Sequence, residues 1–337
     1  MPRACILGCA GPRLTADERS FFTEAKPFGL ILFGRNIDEP DQVRRLTDEF
    51  RAIVGRTDAP VLVDQEGGRV QRLQPPRWQG FPPAGDFGAL HSRDPARALA
   101  AARLGALLIA AELLPLGINV DCMPVADLRH PQGHGIIGDR AYGGDAGTVA
   151  SLARAAAEGL LAGGVLPVVK HIPGHGRARA DSHETLPVVE TSLAELDRSD
   201  FEVFRRLADL PVAMTAHVVY RAIDRERPAT VSPKLVGDVI RSRIGFNGLL
   251  LTDDLSMGAL SGSLGARTKA VIAAGCDLAL HCNGRFAEMR AVAEAAPGLE
   301  DEAAKRAAAA LGRLKKPQEI VDVAEARGRF SAMIAVT

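Results

Sequence analysis

Four groups of carboxylate, imidazole and cationic side chains follow short apolar runs of the chain, each at the point where a run ends. They are Asp64–Arg69, Lys170–Gly176, Ala216–His217 and Asp253–Met257. Carboxylates and histidines are the side chains that most often attack electrophilic carbon and transfer protons. Because such groups are costly inside an apolar core, their placement after the runs predicts an active site built from several strand ends.

The segment that follows Lys170–Gly176 is long and polar. Residues 177–184 contain no large apolar side chain, so we expect little packing to hold them down. A loop of this kind can close over a ligand and bring its own functional group. His183 is the candidate, with Asp181 two residues before it, because an imidazole titrates near neutral pH, where general acid–base transfer is most efficient.

The apolar runs that carry these groups number eight, and segments with helical spacing separate them. Short apolar runs without clean alternation are typical of strands buried on both faces of a parallel sheet. The runs are Ala4–Cys9, Gly29–Phe33, Pro60–Val63, Ile118–Cys122, Val165–Val169, Pro211–Thr215, Gly248–Thr252 and Cys276–His281. Helices are expected at Asp94–Leu114, Asp145–Ala162, Ser192–Leu207 and Ser232–Arg243, where Asp or Ser stands at the N-cap position.

Eight strand–helix repeats predict an α/β fold of the closed (β/α)8 TIM-barrel type, in which catalytic groups follow the carboxyl ends of the strands. An open doubly wound sheet rarely has this many repeats, and no Gly-x-Gly-x-x-Gly follows the first strand. Alanine-rich helical sequence at Gly284–Ala295, Glu300–Leu314 and Gln318–Ala332 predicts the last barrel helix and C-terminal extensions. We expect a single domain over residues 1–337, with the barrel core at about 4–297 and C-terminal helices at 298–337.

The composition of the chain argues against nucleic-acid and membrane partners. The 337 residues carry 41 Lys+Arg and 41 Asp+Glu with no basic stripe, which argues against nucleic acid. Five cysteines, most of them inside apolar runs, indicate reduced thiols. The apolar run before Cys9 is too short for an export signal, and no stretch approaches the ~18 uninterrupted apolar residues of a membrane span. We expect a cytoplasmic monomer that acts on a small molecule, without a membrane partner.

Several separated motifs together resemble the bacterial β-N-acetylglucosaminidases of glycoside hydrolase family 3. The motifs are Asp64–Val70, Lys170–Gly176, Asp181–His183 and Thr252–Met257, and they occur in the order that the family has. The resemblance covers roughly residues 4–282. One departure is Ile172, where the family usually carries phenylalanine, and the polar residues beside it are unaffected.

The resemblance implies a role for each candidate residue. Asp253 would be the nucleophile of a retaining glycosidase, and His183, oriented by Asp181, would replace the carboxylic acid that most such enzymes use as proton donor. The residues that would bind the glycone are Asp64 and Lys170, which would hold sugar hydroxyls, with Arg72, Arg140 and His171 completing the pocket. The neighbouring Asp254 is better explained as a cap of the next helix.

The remaining polar residues of the motifs have structural explanations. The Pro173–Gly176 turn, with His175, sets the backbone for the loop that follows. Met257 is expected to pack beneath the nucleophile, and His217 ends the sixth strand. By resemblance, the substrates would be cell-wall fragments in which N-acetylglucosamine is linked to 1,6-anhydro-N-acetylmuramic acid, with or without a peptide. That would be a role in peptidoglycan recycling that needs no cofactor and no metal.

Three alternatives remain open from the residues. A phosphorylase would keep the same site and use phosphate to attack the glycosyl intermediate. A metal-dependent barrel hydrolase is suggested by His171, His175 and His183, although such enzymes commonly take a His-x-His pair from the first strand, and Ala4–Gly11 contains no histidine. A non-catalytic sugar-binding barrel is disfavoured by the complete set of candidate catalytic side chains.

Overall fold

A closed barrel of parallel strands forms the centre of the molecule. The computed structural model describes residues 1–314, 317–319 and 322–335. Within them the barrel strands are β1 (Arg3–Leu7), β2 (Pro27–Leu32), β3 (Val61–Val63), β4 (Val120–Asp121), β5 (Leu166–Ile172), β6 (Val212–Thr215), β7 (Leu249–Asp254) and β8 (Leu278–His281). Each strand pairs with its neighbours in the chain, and β8 closes the barrel on β1. The predicted (β/α)8 barrel is confirmed, and every predicted run overlaps its strand.

The strands lack a polar face because both of their faces are buried. Alternate residues such as Ile6, Leu62 and Val168 fill the barrel interior, whereas Leu7 and Val63 pack outward against the helices. This burial on two sides is why the sequence shows apolar runs without alternation. A catalytic side chain must therefore lie beyond the apolar part of its strand, at the barrel rim.

Helices surround the barrel in the described residues. They are α1 (Ala16–Ala25), α2 (Pro40–Val54), α3 (Ala84–His91), α4 (Pro95–Leu113), α5 (Ala146–Ala162), α6 (Leu193–Arg198), α7 (Asp200–Arg206), a wide-turned helix (Lys234–Arg243), α8 (Leu264–Ala274), α9 (Phe286–Ala295), α10 (Asp301–Leu311) and α11 (Val323–Ile334). Short helical turns lie at Gly34–Asn36, Leu114–Leu116, Gly138–Arg140 and Ala229–Val231, and two-stranded pairs join Gln65–Gly67 to Val70–Gln71 and Val188–Val189 to Val219–Tyr220.

The predicted N-caps of the helices are confirmed at three positions. Asp94, Asp145 and Ser192 each accept a hydrogen bond from the backbone N–H three residues later, at 3.0, 2.8 and 3.3 Å. Such a bond satisfies one of the N–H groups that a helix leaves without a partner at its start. These caps fix where α4, α5 and α6 begin.

The prediction of one continuous helix over Ser192–Leu207 is wrong. The backbone leaves the helical conformation at Ser199, where φ is −124° and ψ is −89°, and separates α6 from α7. The hydroxyl of Ser199 donates to the carbonyl oxygen of Glu195 at 2.7 Å, a bond that competes with regular helix geometry. The next residue, Asp200, is buried and accepts a 2.7 Å hydrogen bond from Nε of Arg177. A long-range ion pair thus holds the chain directly after the break.

The C-terminal helices pack against the barrel and its helices. Leu299, just before α10, and Ala307, within it, join the interior cluster and close the amino-terminal end of the barrel. α11 begins later than the predicted Gln318, after Asp322 caps it, and residues 320 and 321 of that prediction lie outside the described residues. Phe330 of α11 is buried among the barrel helices and lies close to Gly105 of α4.

Among the residues that the structure describes, one helix has the length and composition of a membrane span. It is Pro95–Leu116, which contains α4, and 61% of its most apolar window is buried inside the molecule. The core helix of a soluble protein meets the same criterion. α4 packs against α3, α5 and α11, and this packing accounts for its apolar residues.

Candidate active site

The carboxyl ends of the strands surround a cavity of about 390 Å³. Its lining contains the predicted residues Asp64, Arg72, Arg140, Lys170, His171, His183 and Asp253. Asp181 does not line the cavity but contacts His183. The structure therefore brings together side chains from four separate segments of the chain, as expected for a barrel whose catalytic groups follow the strands. Small-molecule sites typically occupy cavities of about 300–1,000 Å³.

A network of five charged side chains forms one wall of the cavity. Nζ of Lys170 donates to Oδ1 of Asp64 at 2.9 Å and lies 2.6 Å from Oε1 of Glu66. Nη2 of Arg72 donates to the other oxygen of Asp64 at 3.0 Å. Arg140 donates to both oxygens of Glu66, each at 2.8 Å. Four of the five predicted glycone-binding residues thus belong to one network, and Glu66 links Arg140 to the other three.

The network keeps its members charged. Burial raises the pKa of Asp64, but Lys170 and Arg72 outweigh it and hold that pKa well below its usual range. The pKa of Glu66 is lowered in the same way, because Lys170 and Arg140 outweigh the effect of burial. Burial lowers the pKa of Lys170, whereas Asp64 and Glu66 raise it further, so its net shift is upward. Fixed charges of this kind can bind hydroxyl groups without rearranging.

Asp253 lies near the end of β7, half-buried on the cavity wall. Its Oδ1 accepts a hydrogen bond from the backbone N–H of Asp254 at 2.8 Å. Burial raises the pKa of Asp253, but His171 and His217 outweigh that effect and bring it below its usual value. The carboxyl group is therefore ionised at neutral pH, as a nucleophile must be. Met257, expected beneath it, is buried and lines the same cavity.

Asp254 has the structural contacts that the sequence indicates, although it does not cap a helix. Its carboxylate accepts hydrogen bonds from the backbone N–H and the hydroxyl of Ser256, at 3.0 and 2.6 Å. It also accepts one from the backbone N–H of Cys282, at 3.2 Å, which ties the end of β7 to the end of β8. α8 begins ten residues after Asp254 and is capped by Ser263. The expectation of a helix cap is wrong because the chain forms a turn first.

Asp127 fixes His171, near the end of β5, and the sequence analysis did not identify this aspartate. Its Oδ2 lies 2.6 Å from Nδ1 of His171, and its Oδ1 accepts the backbone N–H of His175. Burial raises the pKa of Asp127, but the two histidines outweigh it and bring that pKa below its usual value. A lone aspartate within the apolar segment after β4 was the one signal that could have revealed it.

The loop after β5 carries the predicted proton donor and its partner. Nδ1 of His183 lies 2.8 Å from Oδ1 of Asp181, which also accepts the backbone N–H of His183 at 2.9 Å. Burial raises the pKa of Asp181, but these bonds from His183 outweigh it and lower that pKa. The imidazole itself is 61% exposed and lines the cavity. An ionised carboxylate at Nδ1 favours the tautomer with a proton on Nδ1. Nε2 is then the ring nitrogen that can gain and donate a proton.

The same loop is held more firmly than its composition indicates. Ala178 and Ser182 are buried, and Oγ of Ser182 lies 3.0 Å from Nε2 of His175. These two small side chains are packed, whereas His183 and Glu184 are exposed. His175, expected only to shape the turn, is also buried and lines the cavity. Burial, together with His171, lowers the pKa of His175 to about 4, so its ring is neutral at pH 7.

The histidines near the cavity are already engaged by protein groups. His171 contacts Asp127, His175 contacts Ser182, and His217 lies 2.7 Å from Oγ1 of Thr230. In the described ranges, no three His, Cys, Asp or Glu side chains are grouped so that they could hold a metal ion.

Comparison with known proteins points to one family. Residues 6–315 match the family described as the glycosyl hydrolase family 3 N terminal domain. The beta-hexosaminidase of Alkalilimnicola ehrlichii is 41% identical over 285 residues, which are 82% of this chain and 80% of that protein.

Solved structures agree with this match. NagZ from Neisseria gonorrhoeae, in complex with N-trifluoroacetyl-D-glucosamine, has a TM-score of 0.88 at 30% identity, over 99% of both chains. A glycoside hydrolase family 3 beta-N-acetylglucosaminidase from Paenibacillus has a TM-score of 0.80 at 32% identity. That similarity covers 98% of this chain and 60% of the Paenibacillus chain.

Proposed function

Because the chain belongs to glycosyl hydrolase family 3, we propose that it is a retaining exo-β-N-acetylglucosaminidase. It is a glycoside hydrolase of the beta-hexosaminidase type. The observation that carries the finer proposal is the pairing of two groups on one cavity. Asp253 supplies an ionised carboxylate at the end of β7, and His183 supplies an imidazole backed by Asp181.

The proposed reaction is a double displacement. A carboxylate oxygen of Asp253 attacks C1 of the N-acetylglucosamine unit, and the bond from C1 to the leaving oxygen breaks as His183 transfers its proton to that oxygen. Water then attacks C1 of the glycosyl–Asp253 ester while His183 takes a proton from it. The carboxylate leaves, and the sugar is released with its original β configuration.

The charged network is proposed to bind the glycone. Asp64 can accept hydrogen bonds from sugar hydroxyls, and Lys170 and Arg72 keep it ionised. Arg140 and His171 line the same cavity and complete the pocket in this proposal. The 2-acetamido group is recognised by the pocket in this proposal, while Asp253 remains the nucleophile.

The proposed natural substrates are N-acetylglucosamine–1,6-anhydro-N-acetylmuramic acid fragments of peptidoglycan, with or without a peptide. Support comes from the similarity to NagZ and to a beta-N-acetylglucosaminidase. We further expect a cytoplasmic monomer in which residues 1–337 form one catalytic domain. The packing of α10 against the barrel interior and of Phe330 among the barrel helices supports the single domain.

The proposal is tested by following the first products released from the disaccharide by NMR in phosphate buffer. The expected result is β-N-acetylglucosamine as the first-formed anomer, at a rate that does not depend on phosphate. N-acetylglucosamine-1-phosphate as the main product would support the phosphorylase instead. An α-anomer as the first product, or no turnover at all, would contradict the proposal.

A further inference from the structure

The loop that carries His183 lies between two other loops of the barrel rim. On one side, the backbone N–H of His134 donates to the carbonyl oxygen of Ala178 at 2.7 Å, so the segment after β4 supports the start of the loop. On the other side, the segment after β7 supports the residues next to His183. The loop is therefore bound to neighbours on both sides of the imidazole.

Two hydrogen bonds join backbone groups of the loop to the segment after β7. The N–H of Gly258 donates to the carbonyl oxygen of His183 at 3.1 Å, and the N–H of Ala259 donates to that of Ser182 at 3.1 Å. These donors come five and six residues after Asp253. The backbone that carries the imidazole is thus bonded directly to the backbone that follows the nucleophile.

Gly258 allows this contact because it has no side chain. A Cβ atom there would lie 2.6 Å from the carbonyl oxygen of Glu184 and 2.9 Å from that of His183. Real Cβ atoms essentially never approach oxygen so closely, so any larger residue would push the loop away. Glycine at this position is therefore required by the docked position of the loop.

Ser182 provides a side-chain contact at the same place. It is 2% exposed although its neighbours Asp181 and His183 reach the surface, and the buried His175 holds its hydroxyl at 3.0 Å. The two residues that flank Ser182 are the proposed acid, His183, and its partner, Asp181. The position of the serine therefore sets where both of them lie.

We infer that Ser182, His175 and Gly258 form a latch that holds His183 in register with Asp253. The inference rests on the proposed role of His183 as proton donor, and it makes Ser182 and Gly258 positioning residues that touch no reacting atom. When the latch is open, the imidazole no longer meets the leaving oxygen, while Asp253 and the glycone pocket keep their geometry.

This separation predicts a specific kinetic signature. General acid catalysis contributes about 10²–10⁴-fold, and a displacement of about 1 Å can cost ~10²-fold. A leaving group that departs easily as an anion needs no proton, whereas a poor leaving group does. Opening the latch should therefore slow substrates according to the pKa of their leaving group.

The experiment measures kcat/KM, which reports glycosylation, for aryl β-N-acetylglucosaminides ranging from 2,4-dinitrophenyl to phenyl. The variants are Ser182→Ala and Gly258→Ala, with His183→Ala as reference. Matched controls are Ser92→Ala, whose exposed hydroxyl donates to the carbonyl of Ala89, and Gly237→Ala, where a Cβ meets nothing within 4 Å. Hydrogen exchange of the Gly258 and Ala259 amides is followed in the wild type, Ser182→Ala and the controls.

Both latch variants are expected to lose about 10- to 100-fold with the phenyl substrate and less than about 3-fold with the 2,4-dinitrophenyl substrate. Ser182→Ala should also exchange the two amides faster, and the controls should match the wild type. Equal losses on all substrates, or none on any, would overturn the inference while leaving the function in place. If His183→Ala showed no dependence on the leaving group, the proposed proton donor itself would be wrong.

Discussion

Replacing Glu66 should lower the stability of the protein and weaken substrate binding together. The carboxylate of Glu66 is 6% exposed, lies 2.6 Å from Nζ of Lys170 and accepts two hydrogen bonds from Arg140, each at 2.8 Å. Glu66→Ala leaves two cations without this partner, and breaking a buried ion pair costs about 3–5 kcal/mol. Glu66→Gln keeps neutral hydrogen bonds of about half the strength, so the expected loss is roughly 2 kcal/mol.

Urea unfolding at pH 7 measures these losses. A control is Glu294→Ala, whose pair with Arg290 is mostly exposed, with Glu294 itself 67% exposed, and such surface pairs contribute about 0–1 kcal/mol. The pKa of Glu66 is lowered in the folded protein, so its stabilisation is present above the unfolded value of about 4.3 and is lost as pH falls through the folded one. The difference between wild type and Glu66→Gln should therefore be constant near neutrality and shrink below about pH 4.

A second measurement links stability to binding. Because Arg140 and Lys170 would shift when Glu66 is removed, KM for a p-nitrophenyl substrate should rise by about 10-fold or more, which corresponds to 1.4 kcal/mol. A loss in unfolding free energy below about 1 kcal/mol for Glu66→Ala, or an unchanged KM, would refute the reasoning. The first result would mean that the ion pairs contribute no net stability, and the second that they do not shape the glycone pocket.

Three further predictions concern the chemistry. Asp181→Asn keeps the shape of the side chain but removes the negative charge beside Nδ1 of His183. The value of kcat/KM for phenyl glycosides should therefore fall by ~10²-fold or more. An unchanged value would show that Asp181 has no part in the mechanism. Because the pKa of Asp253 is lowered, the nucleophile stays ionised as pH falls. The loss of kcat/KM that comes from protonating Asp253 should therefore occur below about pH 4. A loss from this group that already occurs near pH 6 would contradict the prediction. Dialysis against EDTA should leave turnover unchanged, whereas a loss restored by a divalent metal would favour the metal-dependent alternative.

The barrel was predictable because its strands are buried on both sides. Each apolar run marked its strand, yet β5 and β7 continue beyond the apolar residues to Ile172 and Asp254. Pairing continues there, with Ile172 beside Thr215 and Asp254 beside Leu280. Polar residues at the rim thus belong to strands that hydropathy alone ends too early.

Site residues were predictable where the residue type itself indicates the chemistry. They were less predictable where a residue's role depends on a contact with a distant part of the chain. Glu66 stood inside a recognised motif, but its partners lie far along the chain, Lys170 on β5 and Arg140 in the short helical turn Gly138–Arg140. Asp127 and Ser182 act through His171 and His175, and no local pattern records such pairings. The break at Ser199 has the same origin, since the side chain that holds the neighbouring aspartate comes from another segment.

The central claim is that Asp253 forms the covalent bond to the sugar. The direct test is to trap the enzyme with 5-fluoro-N-acetylglucosaminyl fluoride, digest it with trypsin and sequence the labelled peptide by mass spectrometry. The account predicts one label on the peptide 244–267, at Asp253 and not at Asp254, and no label in the Asp253→Ala variant. A label on any other residue, Asp254 included, would contradict it.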